Sequence, residues 1–251
     1  MSLNVGSAIT DGLRRVVNRN GLVLVVIAAL LGVAWQITVT SFASQFFPAE
    51  ISGSVGLAIE APLAVLGGSG VVLFFLLSYV SIVAMRTFVA GETERFPREI
   101  LQRRIPWVVA NLVVGGIVYG LLTFIGTLLL VVPGVIAYVS LLFTSIYIAV
   151  EDENFLSAIV DSWYLTRGNW LRLFLLLLVI VVPVTVVFGA LSVGFTIAFG
   201  ANSAASQVIS GLISMPFSIL ILGVLAEAFV QLRGDSRARR SDDTSGDPVT
   251  V

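Results

Sequence analysis

The chain has 251 residues, of which 57% are hydrophobic and only 12% charged, with a net charge of −1. Soluble chains carry about 25% charged residues, so a water-soluble globular domain is excluded, and the near-neutral balance gives no pull toward nucleic acid. There is no Cys and no His; disulfides, thiolate metal sites and imidazole chemistry are excluded, and no metal or cofactor is expected.

In chain order, Val5–Val17 is a short amphipathic stretch, broken by "NRNG" at Asn18–Gly21. Charge-free runs follow at Asn20–Ala49 and Ala61–Met85, then at Ile105–Val150 and Leu173–Ala226. A membrane span takes about 20 residues, so each of the last two runs must contain a reversal. "VVPGV", with Pro133 before Gly134, marks the first reversal, and "GANSAAS" at Gly200–Ser206 marks the second. The sum is six transmembrane helices, approximately 21–43, 61–85, 107–131, 133–150, 171–198 and 205–230. The expected fold is all-α: a polytopic membrane protein of three hairpins, with one membrane domain over residues 1–231 and a disordered tail over 232–251.

The arginines test this count independently. All fourteen basic residues are Arg. Arg14, Arg15 and Arg19 precede the first span; Arg86, Arg95, Arg98, Arg103 and Arg104 lie between the second and third. Arg167 and Arg172 lie between the fourth and fifth, and Arg233, Arg237, Arg239 and Arg240 follow the sixth. With six spans all fall on one side, while the opposite loops carry only Glu50 and Glu60. The positive-inside rule then places both termini in the cytoplasm of a multi-pass cell-membrane protein. The first apolar run is too long for the 7–15-residue core of a signal peptide.

Each hairpin is preceded by a polar connector of one pattern: a short amphipathic stretch, a breaker, then a span. After Val5–Val17 come Arg98–Ile105, broken by Pro106, and Glu153–Arg167, broken by Gly168-Asn169. "AITD" at Ala8–Asp11 and "AIVD" at Ala158–Asp161 occupy matching places. The pattern predicts three copies of one unit, an interfacial helix followed by a hairpin. In the third, Phe155, Ile159, Trp163 and Thr166 recur at helical spacing with Leu156 and Val160 beside them, while Ser157, Asp161 and Tyr164 lie away. Glu151, Asp152 and Glu153 suit the start of that helix, Gly168 its end, and Asn169 the cap of the next. Such a helix lies in the membrane interface, apolar face down.

Across "VVPGVIAYVSLLFTSIYIAVED" and "SWYLTRGNWLRLF", within Val131–Phe174, the chain resembles the membrane domain of the glycerophosphoryl diester phosphodiesterase family and its stand-alone bacterial and haloarchaeal relatives. The resemblance implies a membrane module only. In that family hydrolysis belongs to a separate barrel. Here no barrel follows the last span, and without His its usual metal site cannot be built.

The candidate lipid-headgroup and interface contacts are Arg103, Arg104, Trp107, Trp163, Arg167, Trp170 and Arg172, because Trp concentrates at membrane–water boundaries and guanidinium groups bind anionic headgroups. Glu227 is the one acid inside a span, a candidate intramembrane polar site. It is also close enough to Arg233, or to another Arg of the same face, for a structural pair. Gln36, Asn111 and the scattered hydroxyls read as helix-to-helix bonds, and "GIVYG" at Gly116–Gly120 matches the close-packing motif of membrane helices. These features predict a non-catalytic scaffold, lipid-interacting or accessory module, with anionic membrane lipids as partners and room for oligomers through the membrane helices. The alternative is a transporter or channel for a small solute, with Pro133 and Pro183 breaking helices near a midplane site.

Overall fold

The structure, a computed structural model, describes residues 3–47, 58–199 and 204–245. Every element in them is helical: α1 Val5–Val16, α2 Arg19–Ala43, α3 Leu63–Ala90, α4 Arg98–Gln102, α5 Ile105–Leu129, α6 Val131–Ser140, α7 Thr144–Glu151, α8 Phe155–Thr166, α9 Trp170–Phe199 and α10 Ala204–Ser245. Six stretches are long and apolar enough to cross a membrane: α2, α3, α5, α6 with α7, α9, and Pro216–Ser236 of α10. The protein is an all-α polytopic membrane protein.

Local chemistry sets the boundaries. Asn4, Asn18 and Asn154 each accept a hydrogen bond from a first-turn amide, Ser7 at 3.2 Å, Gly21 at 2.8 Å and Ser157 at 3.0 Å, and so start α1, α2 and α8. Pro106 occupies the first turn of α5, where its missing N–H costs nothing. Gly91 and Gly168 take positive φ, 74° and 85°, and end α3 and α8.

The packed core sits at the arginine-rich end. It is made by Val80–Phe88 of α3, by α6 and α7 from Val139 to Ala149, and by Ile219–Phe229 of α10, so the even-numbered spans supply most of it. Toward the other end the helices expose Val71, Val72, Phe75, Leu128 to Val132, Val186 and Val187. In water this would be a large aggregation-prone surface. In lipid such apolar side chains are matched to their surroundings, and the helices bond their backbone groups internally along their lengths.

Each short helix packs against the span before it, taken cyclically. α4 meets α3, where the Tyr79 hydroxyl donates to Leu101 O at 3.2 Å. On α8, Ser162 and Thr166 donate to Ser140 O at 2.8 and 3.1 Å. α1 closes the circle on α10 through Gly12 and Gly223. α1 and α8 are built alike, each with an Asn cap, a Ser three residues on, and a buried small stripe: Ala8, Gly12, Val16 and Ala158, Ser162, Thr166.

Several sequence expectations are corrected. The α5–α6 reversal falls at Leu130, whose extended backbone (φ −161°) precedes α6, and Pro133 sits inside the first turn. The tight point is Gly126 against Gly134, where an added Cβ on Gly126 would lie 3.0 Å from the Gly134 Cα. The fourth span is two helices, interrupted at Leu141–Phe143. α4 has only five residues. No acid lies in the first turn of α8, since Glu151 ends α7 and Asp152 caps it. "GIVYG" is not a crossing, for nothing lies within 4 Å of a Cβ added to Gly116 or Gly120. The buried face of α8 is its small polar stripe, while Leu156, Val160, Trp163 and Tyr164 are exposed. α10 runs from Ala204 to Ser245 and so extends over part of the stretch expected as a tail. The reversal near 200–203, Glu50, and residues 246–251 lie outside the described residues.

Candidate functional site

Two charge networks hold the arginine-rich end together. The first centres on Arg86, which is 4% exposed although it directly follows an apolar run. α3 continues five residues past Met85 and carries Arg86 into the core. Its guanidinium donates to Ala149 O at 2.5 Å, Ile100 O at 3.1 Å, Arg103 O at 2.8 Å and Asp152 Oδ1 at 2.8 Å. Arg103 approaches the other carboxylate oxygen at 2.6 Å and also donates to Val150 O. Trp107 Nε1 donates to Asp152 O at 3.3 Å. Asp152 stands in the left-handed region (φ 56°), which turns its carboxylate back between the two guanidiniums.

The second network answers the question of Glu227. It is 8% exposed and pairs with Arg15 of α1 at 2.5 Å, not with Arg233. Gln231 donates to Glu227 Oε1 at 3.1 Å and to Ser7 Oγ at 3.2 Å, and Arg15 also reaches Phe88 O. Arg233 pairs instead with Glu151 and lies 5.7 Å from the Phe229 ring centre. Both networks therefore join segments far apart in the chain, and Glu227 serves as a structural anchor for α1.

The nominated lipid contacts divide into two sets. Arg103 and Trp107 belong to the Asp152 network. Arg104, Arg167 and Arg172 are exposed, and none of their side chains has an ion-pair or hydrogen-bond partner among the described residues. Trp163 and Trp170 meet edge to face at 5.2 Å, and Trp170 Nε1 donates to Thr166 Oγ1 at 3.3 Å. Asn111, nominated as a helix-to-helix bond, accepts from Phe155 N at 3.0 Å and donates to its own helix at Trp107 O, so it ties α5 to the start of α8. A groove of about 380 Å³ runs between Leu122, Ala137 and Leu141 on one side and Ile159, Val160, Trp163 and Tyr164 of α8 on the other.

The family profile of DUF7847, a domain of unknown function, matches residues 3–232. The chain belongs to this family. No curated protein and no solved structure matches it. The DUF7847 span contains every charge of the two networks except Arg233, which lies one residue beyond it.

Sequence reasoning missed Arg86, Asp152 and Arg15 as anchors of the DUF7847 domain. A signal existed for the first: "RTFVAG" keeps an apolar rhythm to Gly91, a ready helix terminator, so the helix had reason to pass through Arg86. Nothing local distinguishes Asp152 from its neighbours Glu151 and Glu153.

Glu153 carries the pH dependence of this end. Burial first, then the Asp161 and Glu151 carboxylates and a hydrogen bond with Asp161, push it up to about 7, against the pull of Arg233. Its folded value lies above its unfolded one. The folded state thus holds the proton more tightly, and stability falls as pH rises between the ordinary glutamate range and about 7. Glu153→Gln is expected to raise the melting temperature clearly at pH 8 and little at pH 5, measured by thermal unfolding in detergent. An equal shift at both values would show that Glu153 does not titrate there.

Proposed function

We propose that this protein is a non-catalytic membrane module whose arginine-rich end faces the cytoplasm and binds anionic lipid. The observation that carries this reading is the division of the arginines. Arg15, Arg86, Arg103 and Arg233 are committed to carboxylates inside the fold, while Arg104, Arg167 and Arg172, like Arg19, Arg95 and Arg98, are exposed and have no carboxylate partner among the described residues. An exposed guanidinium near a bilayer surface meets phosphate, and Trp163 and Trp170 are the residue type that settles at headgroup depth. The chain has no His and no Cys, and Glu227 is committed to Arg15, which favours binding over chemistry. The resemblance to the membrane part of the phosphodiesterase family points the same way, toward a membrane module.

The test is lipid-dependent stability. Phosphatidylglycerol added to the detergent-solubilised protein is expected to raise its melting temperature more than phosphatidylcholine does. Each Arg near an anionic surface is worth about 1 kcal/mol. Arg104→Gln/Arg167→Gln/Arg172→Gln should therefore weaken the apparent affinity for phosphatidylglycerol on the order of 100-fold. Equal stabilisation by both lipids would remove the reading.

A second reading, a carrier for a small solute, has one observation in its favour. The fourth span is interrupted at Leu141–Phe143 beside a cavity of about 220 Å³ that Gly115, Tyr119 and Thr144 help to line. Interrupted helices line transporter sites. The prolines do not supply the break, since Pro183 lies inside the continuous α9. Solute flux in proteoliposomes, lost on filling the cavity with Gly116→Leu, whose new Cβ meets nothing within 4 Å, would favour this reading.

A further inference from the structure

We infer that the cavity at the break in the fourth span binds a small neutral molecule with an apolar body and one hydrogen-bonding oxygen, of the class of an aromatic alcohol. The inference takes the cavity of the carrier reading but concerns binding alone and needs no flux. It is also independent of the lipid-binding reading. Three features carry it.

The first is an unpaired polar group. Thr144 lines the cavity and is 4% exposed. Its hydroxyl has no hydrogen-bond partner among the described residues. Its backbone N–H donates to Leu141 O at 3.1 Å, so only the side chain is left over. Thr144 also opens α7, a helix that starts without a side-chain cap. First-turn amides have no partner within their own helix. Ser145 follows on the cavity wall. Buried polar groups in native proteins are nearly always paired, and a ligand oxygen at this spot supplies the pairing.

The second feature is the rest of the lining. Leu112, Leu142, Ile148 and Leu225 give apolar walls, Tyr119 adds an aromatic ring, and no acid and no Arg lines the cavity. A charged ligand would therefore stay unpaired, which burial penalises heavily. Water suits only the Thr144 end, since an ordered water needs two to four polar partners. A cavity of about 150 Å³ takes a benzene ring, so this one, of about 220 Å³, takes a ring with a little more attached. Gly116 lines the cavity and is exposed, and nothing lies within 4 Å of a Cβ added there. The cavity is thus bordered by open surface on α5, a span that faces lipid, and an apolar molecule dissolved in the bilayer has a way in.

The third feature is rigidity. The break that places Thr144 is held from α8. Phe143 N donates to Ser162 Oγ at 3.1 Å, and Ser162 and Thr166 donate to Ser140 O at 2.8 and 3.1 Å. The residues leading into Thr144 are therefore fixed before a ligand arrives, which lowers the ordering cost of binding.

The probe is benzyl alcohol, with toluene as the same ring without the oxygen. Thermal unfolding of the full chain in detergent is followed at rising concentrations of each. Gly116→Leu, which fills the cavity, reads the effect of either compound on the micelle alone. Relative to that variant, benzyl alcohol is expected to raise the melting temperature of the unaltered protein. It should do so with an apparent affinity about fivefold above that of toluene, the worth of one ordinary hydrogen bond. Thr144→Val keeps the shape of the side chain without the hydroxyl; it should fold and should remove the fivefold preference. Equal effects of the two compounds, a preference that survives Thr144→Val, or no shift relative to Gly116→Leu would each overturn the assignment. The carrier reading is decided separately. Benzyl alcohol binding without flux of any solute in proteoliposomes would keep the site and remove the carrier, and flux without the preference would do the reverse.

Discussion

Replacing Asp152 by Asn is expected to destabilise the protein by about 3–5 kcal/mol, the cost of leaving a buried charge without its partner. Asn tolerates the left-handed backbone of this position as well as Asp does. The substitution therefore keeps the turn and removes only the charge. What remains is Arg86, 4% exposed, facing Arg103 with no carboxylate between them. Arg86 cannot escape to water, because three carbonyls from α4, α7 and the α4–α5 turn hold its other N–H groups. Arg103→Gln should cost far less, about 1 kcal/mol or below, since nearly half of the Arg103 side chain is already in solvent and such pairs are weak. Thermal unfolding followed by Trp fluorescence checks both, and Trp107, bonded to Asp152 O, reports on the cluster itself. The double variant Arg86→Met/Asp152→Asn is informative, because it removes the buried guanidinium together with its carboxylate and keeps a residue suited to the left-handed backbone. It should be more stable than Asp152→Asn alone. A silent Asp152→Asn would mean that the carbonyls, and not the carboxylate, hold Arg86.

How much of this was legible in the sequence follows from which forces are local. Six spans were readable because hydrophobic run length acts residue by residue. α8 was readable to within two residues at each end, since Gly168 and the amphipathic rhythm fix it locally. Its inward face was not. The large side chains at Leu156, Val160 and Trp163 outweigh Ala158 and Ser162 on any hydrophobicity scale, but that scale measures escape from water. Inside a membrane protein apolar surface gains little by leaving lipid, so close packing and hydroxyl bonds decide which face turns in. The same shift explains the fourth span. Its interruption at Leu141–Phe143 is secured by Ser162 and Thr166, about twenty residues later in the chain, and the run itself carries no breaker at that point. The site showed a similar split. The exposure of Arg104, Arg167 and Arg172 follows from their places at helix boundaries, while the fates of Arg15, Arg86 and Glu227 depend on partners between 66 and 212 positions away.

That principle gives the second large expected effect, and it separates two kinds of glycine. Gly12→Ala should destabilise the protein by about 1–3 kcal/mol, in the range of overpacked cores. An added Cβ would lie 2.5 Å from Val224 Cα, 3.0 Å from Val224 N and 3.1 Å from Gly223 O, all backbone atoms that cannot rotate aside. α1 must then move off α10. In moving it would draw Arg15 away from Glu227, which is 8% exposed and takes its charge pairing from Arg15. Gly223→Ala meets the same contact from the other side, against Val16 Cγ2 and Gly12 O, and should be milder in the measure that the Val16 side chain can turn. Gly116→Ala and Gly120→Ala are expected to have the opposite sign. Nothing lies within 4 Å of either new Cβ, and Ala is favoured over Gly in a helix interior by about 1 kcal/mol. Melting temperatures of the four variants in one detergent decide the matter. If Gly116→Ala and Gly120→Ala fell while Gly12→Ala held, the close crossing would be the one marked by the glycine motif in α5, and the docking of α1 on the last span would have to be withdrawn.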